Sequence, residues 1–390
     1  MQDLAAALRE RKQQRLYRTR DTLQGPQDVT VRIDGTDYLS FCSNDYLGLA
    51  NHPAVIEAFK QGADRFGVGS GAAHLITGHS YAHQALEEDL AEFVSRERVL
   101  LFSTGYMANF GVVSALVGRG DAIYEDRLNH ASLIDAALLS GARFKRYTHG
   151  DTASLKAKLA ERPTGEKLIA TDGVFSMDGD RAPLPALQAL AVEFDSWLLV
   201  DDAHGFGVLG EEGRGWFCET LGKAPANTVL MATLGKAFGT FGAFVAGSDE
   251  LVETLIQKAR TFIYTTAPPP AVAWAARTAL QLVKQGAALR QQLNQNIARF
   301  RRGAEQLGLP LLQSQTPIQP LLIGDAGEAL LLSETLRERG ILVTAIRPPT
   351  VPVGTSRLRF TLSARHTPQH VDLLLEVLDQ SFTRPARVVR

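Results

Sequence analysis

Apolar and polar positions recur along this chain in two rhythms. Asp3 to Arg20 has the three-to-four spacing of an amphipathic helix. Val29–Ile33 and Tyr38–Phe41 follow the period of two shown by half-buried strands, and the intervening Asp34-Gly35 predicts a hairpin. From residue 79 onwards, helical stretches alternate with short apolar runs. HSYAHQALEEDLAEFV precedes VLLFST, YMANFGVVSALV precedes AIYED, SLIDAALLS precedes RFKRYT, and DTASLKAKLAE precedes EKLIATDGV. PLPALQALAVEF leads into SWLLVDDAH, and TVLMATLG and GAFVAG close the series. Strands separated by helices of this length predict an α/β protein with a large, mostly parallel sheet and helices on both faces.

Past residue 249 the pattern changes. Helical stretches DELVETLIQKAR, PPAVAWAARTALQLVK and ARFRRGAEQLG precede IQPLLIG, a helix over 328–339, ILVTAI, RLRFTLSA and a last helix from Thr367. This predicts a smaller α+β unit. The expected division is an N-terminal helix and hairpin over 1–45, a large α/β domain over 46–285 and a small C-terminal α+β domain over 286–390.

Composition narrows the class without naming a chemistry. The 390 residues include 41 Lys+Arg against 42 Asp+Glu, a net charge of −1 that offers no general surplus for nucleic-acid phosphates. The dense basic stretch Arg9–Arg20 and the smaller Arg299–Arg302 read as solvated helix faces. No apolar run reaches the roughly 18 to 20 residues of a membrane span. The segment MQDLAAALRERKQQ has no apolar core, so it does not read as a signal peptide. Two cysteines, Cys42 and Cys218, cannot build a disulfide framework, and a reducing cytoplasm is the expected setting.

Ligands of doubly wound sheets bind at the carboxyl ends of strands. Polar clusters follow the apolar runs at Ser103–Tyr106, Arg127–Ser132, Asp172–Ser176, Asp201–His204 and Thr233–Lys236. A metal reading would use Asp201, Asp202 and His204, but successive residues of an extended chain point to opposite faces, and no second cluster completes a shell. No metal is expected. Gly205–Gly210 spells GxGxxG after a strand, but Glu211-Glu212-Gly213 follows instead of a helix, and no acid ends the next strand. A dinucleotide site is therefore set aside, leaving a tight glycine loop. Taken together, the clusters suit pyridoxal phosphate. Lys236, flanked by Gly235, Ala237 and Gly239, is an uncrowded amine that could form a Schiff base. Asp201 is the acid a pyridine nitrogen needs, and Gly105-Tyr106 at a helix start, with Thr233, suit a phosphate.

The segments FCSNDYLGL, LFSTGYMANF, DRLNHASLIDA, DGVFSMDGDRAPL, LLVDDAHGFGVLGEEGRG, ATLGKAFG and IRPPTVPVGTSRLRFTL, in this order, resemble the α-oxoamine synthases. These are pyridoxal-phosphate transferases of the aspartate-aminotransferase fold, fold type I. AIRPPTVP at 345–352 is most similar to the branch that condenses L-alanine with a pimeloyl thioester. Branches using glycine or serine are the alternative, and Arg347 separates the two readings.

The resemblance implies roles. Lys236 is the cofactor lysine and catalytic base, Asp201 pairs with the pyridine nitrogen, and His204 and Ser176 meet the ring hydroxyl oxygen. His130 stacks on the ring and assists catalysis at the substrate. Gly105, Tyr106 and Thr233 hold the phosphate, and Thr265 and Thr266 reach the phosphate across a homodimer interface. Asn44 lies near the substrate, Arg347 and Thr350 face its carboxylate region, and Arg18, with Arg20 close in sequence, guards the acyl entrance. The acyl carrier is coenzyme A or an acyl carrier protein. In GVGSGAAHLITG, Ala72-Ala73-His74 depart from the family's usual glycine followed by Ser or Thr, a difference that bears on the acyl pocket.

Overall fold

The computed structural model describes residues 3–14, 16–161 and 165–382. These form two units: Leu49–Ser176 with Asp180–Arg290, and Met1–Gly48 with Met177–Gly179 and Gln291–Arg390. The segment before residue 49 therefore shares a unit with the C-terminal region.

In the larger unit, seven strands lie in the order Arg98–Phe102, Ala243–Gly247, Thr228–Thr233, Trp197–Asp201, Lys167–Asp172, Ala122–Asp126 and Arg143–Tyr147. Ala243–Gly247 runs antiparallel to both neighbours, and the other adjacent pairs are parallel. Both faces of this sheet are covered, which explains why its strands are apolar almost throughout. On one face, Leu100, Phe102, Ile123, Leu168, Leu199 and Val229 pack with helix residues Val112, Leu133, Ala136 and Leu255. Residues one step along each strand take the other face. There Phe244 meets Phe206 edge-on at 5.0 Å, and Phe206 stacks on Phe238 at 4.7 Å.

The smaller unit contains two three-stranded sheets. The predicted hairpin forms as Thr30–Ile33 and Thr36–Ser40, with Asp34 and Gly35 at positive φ in its turn. Leu39 and Ser40 pair in parallel with Ile341 and Leu342, which ties the hairpin to the C-terminal chain. The second sheet has Ser356–Thr361 at its centre, antiparallel to Ile318–Gly324 and Thr344–Ile346. Phe300, from the long helix Ala287–Gln306, packs on Phe360 with ring centroids 5.5 Å apart.

One expected element is shorter than its pattern suggests. The first helix is Leu4–Gln13, started by Asp3, whose carboxylate accepts the Ala6 N–H at 3.0 Å. It does not continue to Arg20. Leu16 N–H bonds back five residues to Arg11 O, and Tyr17–Arg20 are exposed. No residue of the helix is buried, so no packed face exists to offset the entropy of extending it.

Candidate active site

Five polar strand ends of the larger unit converge on one cavity of about 190 Å³. After Phe102 comes the helix Gly105–Leu116, whose N-cap Thr104 accepts the Met107 N–H at 3.2 Å. Ala108 N–H bonds Thr104 O at 3.0 Å. The first-turn amides of Gly105 and Tyr106 take no acceptor among the described residues, and a helix N-terminus of this kind suits an anionic oxygen. Both residues line the cavity.

Asp201, at the end of Trp197–Asp201, is buried on the cavity wall. Its Oδ1 accepts the Ala203 N–H at 3.1 Å and its Oδ2 accepts Asn109 Nδ2 at 2.8 Å. Asn109 also donates to Ser132 Oγ at 2.8 Å. Two donors directed at one carboxylate hold it fixed. Asn109 is not singled out by the sequence, and Ser132 only closes the Arg127–Ser132 cluster. The available signal is a polar residue inside the apolar helix YMANFGVV, which alone does not reveal a partner 92 positions away.

Across the cavity, Lys236 Nζ lies 2.9 Å from His204 Nε2. His130 Nδ1 accepts the Ser132 N–H at 3.2 Å and lies 2.7 Å from Ser132 Oγ. That leaves the His130 proton on Nε2. Burial pulls the pKa of His130 down, with Lys236 adding to the effect against the opposing charge of Asp201, so the ring is neutral near pH 7. Its backbone N–H lies 3.2 Å from each oxygen of Asp172.

Asp172 is a further cavity residue to which the motifs give no role. It opens one of the polar clusters, and sheet register sets it directly beside Asp201. Burial first, and then the Asp201 charge, push its pKa well above the usual carboxylate range. Two adjacent carboxyls in one buried site cannot both ionise cheaply, and Asp172 is the one whose surroundings favour the protonated form.

Asp202 points away from this cavity, as strand alternation requires. Its Oδ2 accepts the Phe217 N–H at 3.0 Å, and burial raises its pKa to about 8. The surrounding glycine loop is shaped around this carboxyl. A Cβ on Gly205 would lie 2.2 Å from Asp202 Oδ1, and one on Gly215, at φ +97°, 2.2 Å from Oδ2. The GxGxxG string thus encloses a side chain of its own protein and does not face a ligand phosphate.

The remaining expected residues fall in three places. Ser176 is buried and lines the cavity, as does Thr233, whose hydroxyl donates to Gly242 O at 2.9 Å and accepts the Gly235 N–H at 3.1 Å. Thr265 is half-buried and Thr266 exposed in the segment after helix Arg260–Ile263, and neither lines this cavity. Arg18, Asn44, Arg347 and Thr350 belong to the smaller unit.

There Arg18 and Arg347 come together. Burial and then the Arg18 charge lower the pKa of Arg347 from the usual arginine range. Thr350 N–H bonds Arg347 O at 3.0 Å, closing the turn between them. Asn44 Oδ1 accepts from Tyr46 Oη and from Arg359 Nη2, both at 3.2 Å. Buried Arg359 does not stand out in the sequence because RLR offers two arginines, and only the fold separates them. Arg357 forms an ion pair with Asp178.

The donor set of the cavity fits pyridoxal phosphate: an amine, a fixed carboxylate for a cationic ring nitrogen, a neutral imidazole, and helix amides left for phosphate oxygens. Comparison with known proteins points the same way. The family model of aminotransferase class I and II matches residues 36–378. An 8-amino-7-oxononanoate synthase of Nitrosococcus oceani is 63% identical over 374 residues, covering 96% of this chain and 99% of that one. Another from Methylococcus capsulatus is 60% identical over 384 residues, covering 98% and 99%. Among solved structures, a serine palmitoyltransferase from S. paucimobilis bound to PLP and myriocin has a TM-score of 0.91 at 28% identity, covering 97% and 96%. The 8-amino-7-oxononanoate synthase of Francisella tularensis has a TM-score of 0.75 at 32% identity, covering 88% and 98%.

Proposed function

The chain belongs to the class I and II aminotransferase family and, within it, to the 8-amino-7-oxononanoate synthases, and from that premise we propose how its residues act. The reaction joins L-alanine to a pimeloyl thioester, releasing carbon dioxide and free thiol, and gives 8-amino-7-oxononanoate for biotin biosynthesis. Pyridoxal phosphate is the cofactor, and when bound it delocalises the electron pair formed at the α-carbon of the amino acid.

Each cavity residue then has a task its surroundings support. Asp201 would hold a proton at the pyridine nitrogen, as a carboxylate fixed by two donors can. The amides of Gly105 and Tyr106, with Thr233, would bind the phosphate. His204 and Ser176 would hold the ring hydroxyl oxygen. Lys236 would hold the aldehyde carbon and move the α-proton of alanine. His130 would cover the ring face and, through the Nε2 proton left by its bond to Ser132, donate to the thioester carbonyl oxygen. Arg18 and Arg347, drawn into one neighbourhood, would take the free carboxylate of the pimeloyl chain, with Asn44 and Thr350 beside the substrate. Thr265 and Thr266 would meet the cofactor phosphate of a second copy in a cytoplasmic homodimer.

The observation that carries this reading is Lys236 Nζ set 2.9 Å from His204 Nε2 in the cavity that also holds Asp201. A second reading, a serine- or glycine-using synthase, draws on the serine palmitoyltransferase likeness in shape. Sequence identity twice as high favours alanine. The test incubates purified protein and cofactor with alanine, glycine or serine and with pimeloyl-coenzyme A or pimeloyl acyl carrier protein, identifying products by mass spectrometry. Alanine should give 8-amino-7-oxononanoate, and Lys236→Ala should lose both the visible absorbance of bound cofactor and turnover. A K236A protein with normal turnover, or faster product from serine, would overturn the reading.

A further inference from the structure

His149 does not line the cavity, yet both of its ring nitrogens are held by carboxylates. Nδ1 lies 2.9 Å from Asp126 Oδ1 and Nε2 2.8 Å from Asp180 Oδ2, and the ring meets Phe175 edge-on at 4.4 Å. Carboxylates accept, so both nitrogens donate and the ring is a cation. Burial opposes that charge, but the bonds to Asp126 and Asp180 win and raise the pKa to about 10.

Each acid also shapes a loop that carries a cavity residue. Asp126 Oδ1 accepts the Leu128 N–H at 2.8 Å, and its Oδ2 accepts the Gly150 N–H at 2.8 Å. The turn begun there runs through Asn129, pinned to Ala170 O and the Asp172 N–H, into His130. On the other side, Asp180 O accepts the Phe175 N–H at 3.0 Å, and Val174 bridges to Arg181, closing the turn that presents Ser176. One imidazolium therefore joins the His130 loop to the Ser176 loop.

We infer that His149 is a positioning residue, whose two-sided ion pair sets His130 and Ser176 in register with each other at the cofactor ring. The inference rests on the proposed roles of those two residues. A neutral glutamine at position 149 cannot supply a cation to both acids, so each loop would relax separately.

The test uses the holoenzyme in a double-mutant cycle of His149→Gln with His130→Ala. Three readouts are taken: thermal midpoint, visible circular dichroism of the bound cofactor, and kcat/KM with whichever amino acid the wild type uses. H149Q should bind cofactor with altered dichroism and lose on the order of tenfold or more in kcat/KM, the scale of a sub-ångström to ångström misplacement. In the H130A background, H149Q should change dichroism and rate by much smaller factors, because the group it positions is gone. A purely structural role would lower rate by the same factor in both backgrounds, and that result overturns the inference, as does wild-type dichroism and rate in H149Q. If H149Q fails to fold, Asp180→Asn cuts only the arm to the Ser176 loop, and its cycle with Ser176→Ala is read the same way. Because each readout is a ratio against wild type, a change of preferred amino acid would refute the assigned substrate without touching this inference.

Discussion

Replacing Asp202 with asparagine should stabilise the protein increasingly as pH rises, while leaving catalysis in place. Asp202 is fully enclosed, with one oxygen accepting the Phe217 N–H and the other packed against Gly205 without a hydrogen-bond partner. Burial lifts its pKa from the ordinary 3.8 to about 8. The native state thus keeps a proton that the unfolded chain releases once pH exceeds about 4. With more protons bound in the native state, the slope of unfolding free energy against pH is negative, about −1.4 kcal/mol per pH unit for one proton. Between pH 5 and pH 8 this amounts to about 3 to 4 kcal/mol, and the loss ends above the native pKa. An asparagine at this position would not titrate, and its carbonyl can still accept from Phe217.

The assay is urea unfolding of wild type and D202N at pH 5, 6, 7 and 8. The difference between the two proteins cancels the other titrating groups. D202N should gain about 3 kcal/mol or more on wild type from the lowest pH to the highest. Curves that stay parallel would refute the reasoning, because they would mean that the buried acid is ionised. Asp201→Asn is the complementary perturbation. It removes the acid proposed to meet the ring nitrogen, so turnover should fall by orders of magnitude while D202N stays near wild type.

Three further outcomes follow from local geometry. Gly239→Ala should destabilise by about 3 kcal/mol or more, seen as a lowered thermal midpoint, because φ is +62° and the new Cβ would stand 2.2 Å from Ala50 N and 2.4 Å from Leu49 C. Asn109→Leu removes one of the two donors to Asp201 and should weaken cofactor binding roughly tenfold, the scale of one hydrogen bond to a charged group, as measured by absorbance titration; unchanged affinity would sink that role. Burial lowers the pKa of His74 to about 3, so it stays neutral in the fold while the unfolded chain takes up a proton below about pH 6.5. Stability is therefore lost as pH falls from 6.5 towards 3, and His74→Leu should flatten the thermal midpoint over pH 6.5 to 4.5.

Much of the fold is legible in the sequence because its two periods are physically distinct. Strands buried on both faces must be apolar throughout, and the polar residue that ends each one is released into a loop. Asp126, Asp172, Asp201 and Thr233 mark those ends in the sequence and in the sheet. The first helix misleads because its 3.6-residue spacing of Leu4 and Leu8 implies a packed face, yet both side chains are exposed. Spacing reports what a segment could bury, and only a partner decides whether it does. His149 stays hidden for a related reason: a histidine in a loop gives no local sign that acids 23 residues before it and 31 after it will close on its two nitrogens.

The Asp201-Asp202 pair shows how far sequence logic reaches. Alternation along a strand requires that adjacent carboxyls face opposite ways, which by itself rules out joint metal binding. It does not say which of the two meets the ligand. That choice is made by distant donors. Asn109 and the Ala203 amide donate to Asp201, whereas burial in a shell of glycine backbone leaves Asp202 better off protonated. Two identical side chains one residue apart thus meet different surroundings, one on the cavity wall and one sealed among glycines. Asn109→Leu, which removes a donor from Asp201, should loosen the carboxylate that would meet the ring nitrogen and lower kcat along with cofactor affinity. Unchanged kcat and affinity in N109L would show that the Ala203 amide alone suffices to fix Asp201.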